Sequence, residues 1–309
     1  MQSKIRIGLV GLGGIAQKAY LPILTKELDW VFVGAFTPNK EKRERICQQY
    51  RINSFDSLTS LQEACDAIFV HSSTESHFEV VSFLLSNGVD VYVDKPLAAN
   101  GIDAEQLVEI SEKNNRKLMV GFNRRFAPMY LKAKALAGTF DVVHMEKHRP
   151  NDVGPNDYSF TMLDDYLHVV DTLRWLGNGD IKLTDQFNKI NSYNQLLFTH
   201  HSFQKAGQFF TSSMHRQAGS SLEQLELITN DKIVRVRNMN TLEVESNQQI
   251  TTETPGSWET ILETRGFKDC IHHFIGAVVN DKRPEIDGQE ALKSQLLVEA
   301  LISNIDRNK

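Results

Sequence analysis

Cysteine is scarce in this chain of 309 residues, and neither a long apolar run nor an excess of positive charge is present. The three cysteines, Cys47, Cys65 and Cys270, lack C-x-x-C spacing, which argues against a disulfide framework or a metal site and favours a reducing cytoplasm. No apolar run approaches the roughly 20 residues of a membrane-spanning helix. A formal net charge of −5 offers no basis for binding nucleic acid or an anionic membrane. The expected partner is therefore a small molecule.

Short apolar runs alternate with helical patterns over the first 120 or so residues. Because strands and helices alternate, βαβ units and a parallel sheet with helices on both faces are predicted. The predicted strands are 4–10, 30–36, 67–70, 89–93 and 117–122, and the predicted helices run from Gly14 past Pro22, from Thr37–Pro38 onward, over 75–87 and over 103–114.

The pattern changes after about residue 123. Strand-like runs separated by Asn, Asp and Gly turns fill about 180–252 and predict an antiparallel sheet. A further strand is predicted at 141–148, and helices at 128–137, 161–177, 259–280 and 288–306. An exposed face of such a sheet is a liability, so we expect a homodimer or homotetramer that covers it.

A glycine-rich turn, Gly11-Leu12-Gly13-Gly14-Ile15-Ala16, follows the first strand and opens the first helix. The spacing G-x-G-x-x-A is the Rossmann dinucleotide fingerprint: Gly11 makes the tight turn, Gly13 admits the pyrophosphate, and Ala16 allows close packing of the helix. We expect Gly14 and Ile15 to line the same site, at a helix N-terminus that favours anions. The prediction is an α/β protein, with a Rossmann domain at 1–122 and a C-terminal α/β domain with an open, mainly antiparallel sheet at 123–309.

The second strand ends without the Asp or Glu that binds the ribose 2′-hydroxyl in NAD-selective sites. Thr37, Asn39 and Lys40, with the basic residues that follow, could instead accommodate a 2′-phosphate, which favours NADP over NAD. A second interpretation is equally open: Thr37 caps the helix, Pro38 is its first residue and the lysines are solvated.

Four stretches together resemble the Gfo/Idh/MocA family of oxidoreductases, with the nearest likeness to its MviM-like branch. They are the fingerprint, HSSTESH at 71–77, VDKPLA at 93–98 and LDDYLHVVD at 163–171. The resemblance runs nearly end to end and includes GFNRRFAP at 121–128. It implies a Rossmann domain followed by an α/β domain on an open sheet, and an enzyme that uses NAD or NADP.

Lys95 matches the lysine of the family's Glu-Lys-Pro motif, which the resemblance places beside the nicotinamide and against the reacting oxygen. Asp94 replaces the usual glutamate and is the shorter carboxylate. Strand ends line the ligand crevice of such sheets, and an ammonium there can stabilise a developing alkoxide. Taken alone, Lys95 could equally extend from the sheet edge into solvent.

Asp164 and His168 match the family's Asp-x-x-x-His pair, which the resemblance makes catalytic. Residues at i and i+4 are neighbours on a helix, and an imidazole with a pKa of about 6.5 suits proton transfer near neutrality. Tyr166 replaces a usual glycine, so it is expected to reshape the substrate pocket or add a hydroxyl to it. Asp165 is a rival carboxylate, and a plain solvent-exposed helix face is the structural alternative.

The remaining candidates lie in the other matched stretches. Ser72, Thr74 and His77 are expected along the nucleotide, with Asp94 near its ribose, although Ser73 replaces a proline of the family and His77 could be a surface residue. Asn123, Arg125 and His148 are expected to line the substrate cleft or to form interdomain salt bridges, together with Arg124, Lys147 and Arg149.

These residues predict an NAD(P)-dependent dehydrogenase that interconverts a secondary alcohol and a ketone of a sugar, polyol or related small molecule. No metal is expected, because His144 and His148 are separated by roughly 13 Å along a strand. The rivals are a non-catalytic NAD(P)-binding sensor, for which Asp94 and Tyr166 leave room, and a reductase of an unsaturated or imine substrate.

Overall fold

The computed structural model describes residues 4–26 and 29–307, which form two compact units. One unit comprises Met1–Phe122 with Cys270–Leu292, and the other Asn123–Asp269 with Lys293–Lys309. The sequence-based division places everything after residue 122 in the second domain, whereas Cys270–Leu292 belongs with the first unit. Its Phe274 ring lies 5.3 Å from Phe69 and 5.6 Å from Tyr92, edge-on to both. Helical periodicity cannot tell which of two cores a terminal helix joins.

The first unit is built on a five-stranded sheet whose pairings are all parallel, in the order β2-β1-β3-β4-β5. β3, which pairs with β1, and β4, which pairs with β3, are buried at every position, as expected where helices cover both faces. The predicted doubly wound architecture is therefore confirmed. Its strands are β1 (Arg6–Val10), β2 (Val31–Phe36), β3 (Ala67–Val70), β4 (Asp90–Val93) and β5 (Leu118–Val120).

Local sequence signals begin most helices of this unit. The first predicted helix is a π-helical turn, Ala16–Tyr20, followed by one α-helical turn. A helix at Leu58–Ala64, which periodicity does not indicate, begins with a reciprocal capping box between Ser57 and Ser60. The helices are α1 (Leu21–Leu24), α2 (Lys40–Tyr50), α3 (Leu58–Ala64), α4 (His77–Ser86), α5 (Gly101–Lys113) and most of α10 (Phe267–Val279).

The second unit contains an eight-stranded sheet in the order β13-β12-β11-β10-β6-β9-β8-β7. The pairing of β6 with β9 is parallel and the others are antiparallel, which confirms the mainly antiparallel prediction. The strands are β6 (Val142–His148), β7 (Lys182–Ile190), β8 (Leu196–Lys205), β9 (Gln208–His215), β10 (Leu222–Ile228), β11 (Ile233–Arg237), β12 (Thr241–Ser246) and β13 (Gln249–Glu253).

Helices cover one face of this sheet. Alternate strand residues on that face, such as Val143 and Met145, are buried against them. The helix predicted at 161–177 is interrupted by a π-helical turn, Met162–Tyr166. The helices are α6 (Pro128–Ala137), α7 (Tyr158–Thr161), α8 (Leu167–Leu176), α9 (Ile261–Thr264) and the second part of α11 (Gly288–Arg307). Within the described residues, every helix is too short or too polar to cross a lipid bilayer.

A buried ion pair holds the core of the second unit together. The Arg125 guanidinium donates to both carboxylate oxygens of Asp171, at 2.9 and 2.6 Å. Both side chains are almost fully buried, and the Ser294 hydroxyl donates to the same carboxylate at 2.7 Å. A buried pair of this kind adds little net stability, but the loss of one partner is costly.

Asp171→Ala should lower the free energy of unfolding by about 3–5 kcal/mol, because it removes the carboxylate that neutralises the buried Arg125. Urea unfolding followed by circular dichroism measures the change. Glu44→Ala is the matched control, since Glu44 is exposed and lies 3.8 Å from Lys40, and it should cost less than about 1 kcal/mol. Equal small losses in both variants would contradict the structural role of the pair.

Candidate active site

The turn between β1 and the first helix demands glycine at its first position. Gly11 has a φ of 89°, and a Cβ there would lie 2.4 Å from the backbone of His71 and Ser72. Its N–H donates to the Phe36 carbonyl at 2.9 Å. The tight turn therefore joins the carboxyl ends of β1, β2 and β3.

The next positions of the turn leave space in front of the backbone. A Cβ on Gly13 would meet its nearest atom at 3.9 Å, and one on Gly14 would meet nothing within 4 Å. Ile15 is 38% exposed, whereas Ala16 is fully buried where the helix packs on the sheet. This open backbone fits a dinucleotide, because its pyrophosphate must approach the main chain closely.

The segment after β2 differs in detail from the prediction. Asn39, and not Thr37, caps α2, because its side-chain oxygen accepts the Lys42 N–H at 2.9 Å. Arg43 is buried and engaged, donating to the Thr37 carbonyl at 3.0 Å and to Asp56 at 2.6 Å. The exposed ammonium of Lys40 remains as the candidate for a 2′-phosphate.

His77 lies in a different environment from the expected nucleotide contact. It begins α4 and is 1% exposed. Its Nδ1 lies 2.9 Å from the Pro96 carbonyl and its Nε2 lies 3.3 Å from the Ser72 carbonyl. Burial lowers the pKa of His77, so the neutral ring has one N–H, and the shorter contact favours donation to Pro96. His77 thus ties α4 to the loop that carries Lys95. Thr74 begins the 3₁₀ turn that precedes α4.

The Lys95 loop follows β4 and is fixed at both of its ends. The Asp94 carboxylate accepts the Lys95 backbone N–H at 2.9 Å, so the shorter acid of this chain stabilises its own turn. Pro96 and the two residues after it are buried, while Lys95 itself is half-buried. The lysine is therefore held at the sheet edge, and it is not a fully solvated surface charge.

A buried polar cluster below this edge escaped the sequence analysis. The Tyr20 and Tyr92 hydroxyls are 2.9 Å apart, and the Tyr92 hydroxyl lies 3.3 Å from Cys270 Sγ. The His71 ring lies 3.7 Å from the Tyr20 ring, and burial lowers the pKa of His71 to about 3. Within the described residues, neither ring nitrogen of His71 has a hydrogen-bond partner. The HSSTESH stretch contains His71, but only the fold brings the tyrosines to it.

In the second unit, Asp164 and His168 flank the end of a π-helical turn. The turn closes with the Leu167 N–H donating to the Met162 carbonyl, an insertion of one residue that is frequent at functional sites. Asp164 is exposed, whereas His168 is 9% exposed. A plain solvent-exposed helix face is therefore wrong as a description of this pair.

The carboxylate of Asp165, the rival to Asp164, contacts three cationic side chains. It forms an ion pair with Lys147, accepts from Arg216 Nη1 at 2.6 Å and lies 3.4 Å from Arg149 Nε. Burial alone would raise the pKa of Asp165, but the charges of Lys147, Arg149 and Arg216 outweigh it and hold the pKa well below its usual range. Asp165 is therefore a fixed anion. Asp164, which is more exposed, lines the same cavity of about 290 Å³ as Asp165.

Tyr166 does not reach that cavity, contrary to the expectation that it shapes the substrate pocket. It is fully buried, and its hydroxyl lies 2.7 Å from His201 Nδ1 and 2.5 Å from Ser212 Oγ. Burial raises the pKa of Tyr166 and lowers that of His201 to about 3. Both rings are thus neutral, and Tyr166 anchors the π-helical turn to the sheet.

Two further substrate candidates are structural in this fold. Asn123 is buried and donates to the Arg265 carbonyl at 2.8 Å. Arg125 is buried in its pair with Asp171, which lies within the second unit and is not an interdomain bridge. His148 lies 3.0 Å from Glu146 through Nε2 and lines a small cavity of about 70 Å³.

Comparison with known proteins gives two family matches, one for each half of the chain. Residues 5–122 match the oxidoreductase family with an NAD-binding Rossmann fold, Gfo/Idh/MocA. Residues 128–247 match the YceM-like C-terminal domain. The two matches meet close to the boundary at which the second unit begins.

Individual relatives extend the likeness over nearly the whole chain. The YceM oxidoreductase of Salmonella typhimurium is 48% identical over 96% of this chain and 97% of its own. The crystal structure of the dehydrogenase MviM from Clostridium difficile has a TM-score of 0.95 at 46% identity, covering 97% of this chain and 99% of that one.

More distant relatives carry an activity in their names. An inositol 2-dehydrogenase from Gluconacetobacter diazotrophicus is 31% identical over 56% of this chain and 55% of its own. The fingerprint turn, the Lys95 loop and these matches lead to one conclusion: the chain is an NAD(P)-binding oxidoreductase that belongs to the Gfo/Idh/MocA family.

Proposed function

We propose that the protein transfers a hydride between NAD(P) and a secondary alcohol or ketone of a sugar, polyol or related small molecule. The placement of Lys95 carries this proposal. The fingerprint turn follows β1 and the Lys95 loop follows β4, and these strands run parallel in one sheet. Their carboxyl ends therefore share one edge, which is where such sheets bind ligands.

Each proposed catalytic residue has a role that follows from its chemistry. The nicotinamide supplies or accepts the hydride when the dinucleotide is bound. Lys95 stabilises the negative charge that develops on the substrate oxygen. His168, oriented by Asp164, takes the hydroxyl proton during oxidation and returns it during reduction. The name of the inositol 2-dehydrogenase relative supports a polyhydroxylated substrate.

NADP is the proposed cofactor. No carboxylate follows β2 before Glu41, which lies in the first turn of α2, so nothing there can select a ribose 2′-hydroxyl in the usual way. Lys40 is exposed beside the Asn39 cap and can reach a 2′-phosphate. The ion pair of Lys40 with Glu44 is long, at 3.8 Å, and leaves the ammonium available.

A second copy of the chain is the proposed partner, bound to the sheet face opposite the helices. Eight strands of about seven residues present on the order of 900 Å², which matches the ~800 Å² per partner of a standard interface. Phe187 on β7 and Phe209 on β9 are 59% and 39% exposed. The strand pairings place both on this face.

Lys95→Ala and His168→Ala should each reduce turnover by about 100-fold or more, because each removes a charge-stabilising or proton-transfer group. Turnover is measured on a panel of sugars and polyols, and dinucleotide binding by thermal shift should stay detectable. Lys113→Ala and His273→Ala are the matched controls, since both residues lie on helices of the first unit and outside the sheet of the proposed interface. Full activity of both variants would make the assignment wrong, and dinucleotide binding by the parent protein without turnover on any panel member would favour a sensor.

Thermal-shift titration should show a larger stabilisation by NADP(H) than by NAD(H). Lys40→Ala should weaken NADP binding about tenfold and leave NAD binding unchanged, since it removes one charge-assisted contact to the 2′-phosphate. Arg45→Ala, which removes an exposed charge from the same helix, should change neither. A preference for NAD alone would contradict the interpretation of Lys40.

Phe187→Glu and Phe209→Glu should convert the assembly to monomers, because each buries a carboxylate in an apolar interface. Size-exclusion chromatography with light scattering gives the mass. Leu131→Glu, on the exposed side of α6, is the control and should leave the mass unchanged. A parent protein that is monomeric at tens of micromolar would overturn the proposed interface.

A further inference from the structure

Arg149 lines two cavities of the second unit. The larger, of about 290 Å³, is lined by Asp164, Thr161 and Arg216 among others. The smaller, of about 70 Å³, is lined by Arg124, Lys147 and Arg265 among others. The smaller cavity has room for one functional group, and it adjoins the cavity that holds the proposed catalytic carboxylate.

Cations outnumber carboxylates around the two cavities. Arg124 is neutralised by Glu223 through bonds of 2.6 and 2.8 Å. Arg216 donates to Asp165 at 2.6 Å and to Asp152 at 2.8 Å. Even with Asp164 included, four carboxylates face five cations, which are Arg124, Lys147, Arg149, Arg216 and Arg265.

Two of the cations have guanidinium groups that the protein satisfies poorly. Arg149 Nε is 3.4 Å from Asp165 and 4.0 Å from Asp152, carboxylates that Arg216 already engages. Arg265 is exposed, and within the described residues its guanidinium pairs with no carboxylate. A guanidinium presents paired N–H donors that match the two oxygens of a carboxylate or a phosphate.

Lys147 adds to the positive character of the smaller cavity. It is 3% exposed and pairs with Asp165, with Glu223 at 3.9 Å. Burial and the nearby Arg124 lower the pKa of Lys147 to about 8, against the opposing pull of the two carboxylates. An anion entering this cavity would relieve the crowding of like charge.

We propose that the smaller cavity binds an oxyanion of the substrate, a carboxylate or a phosphate, through Arg149 and Arg265. The inference rests on the proposed function, since Asp164, which orients His168 in that proposal, lines the larger cavity. It narrows the substrate from any polyol to an acidic one, such as a sugar acid or a sugar phosphate.

The test is isothermal titration of the full chain, with dinucleotide present, using inorganic phosphate, D-glucuronate and D-glucose as probes. D-glucuronate and D-glucose share a ring and differ in the carboxylate, and phosphate reports the second source of an oxyanion. At least one anion should bind about tenfold or more tightly than D-glucose, and added NaCl should weaken it.

Arg265→Ala should remove about tenfold of that preference, and Arg265→Lys should restore part of it. Arg307→Ala, an exposed arginine of the same unit, is the control and should bind like the parent. Anions that bind no more tightly than D-glucose, or a preference that Arg265→Ala leaves intact, would overturn the proposal. Turnover on neutral polyols would survive that result, whereas anion binding without any turnover would instead count against the proposed function.

Discussion

The carboxylate of Asp165 is the point on which the geometry of the second unit depends. It lies in the π-helical turn and binds Lys147 of β6, Arg149 just beyond that strand and Arg216 just beyond β9. One anion thus fastens the turn to two neighbouring strands. Because three cations share it, its protonation would release all of them together. Around these contacts, cations outnumber carboxylates in the two cavities.

In the first unit, hydrogen bonds to the backbone of the Lys95 loop hold Lys95 in place. A parallel sheet brings the ends of β1 and β4 to one edge, but a strand end alone does not hold a loop in place. The His77 ring reaches the Pro96 carbonyl from α4, and the Asp94 carboxylate binds the Lys95 N–H. Both contacts involve backbone, so they fix the position of Lys95 through its main chain. Glutamate at 94 would have one more rotatable bond and would hold the turn less directly.

The sequence predicted features whose causes are local. The glycine spacing of the fingerprint and the strand alternation follow from rules that act within a few residues. Arg125 and Tyr166 were misplaced because their partners are far along the chain: Asp171 is 46 residues from Arg125, and His201 is 35 residues from Tyr166. The π-helical turn was likewise invisible, since a one-residue insertion leaves the apolar periodicity of the helix almost unchanged. Likewise, the sequence pattern could not show that Cys270–Leu292 packs with the first unit, because its contacts are with residues far along the chain, such as Phe69.

In the second unit, side chains of like charge have different roles. Asp165 is neutralised by Lys147, Arg149 and Arg216, whereas Asp164 is the more exposed carboxylate of the same cavity. Similarly, Arg216 is paired while Arg149 stays loosely held. This division has a physical reason, because a group that must change its charge or bind a ligand cannot also hold the fold. A sequence motif specifies that both carboxylates are present, but only the long-range partners decide that Asp165 is the one held by cations from β6 and from the ends of β6 and β9. The departures at Asp94 and Tyr166 likewise have structural contacts, Asp94 with the Lys95 N–H and Tyr166 with His201 and Ser212.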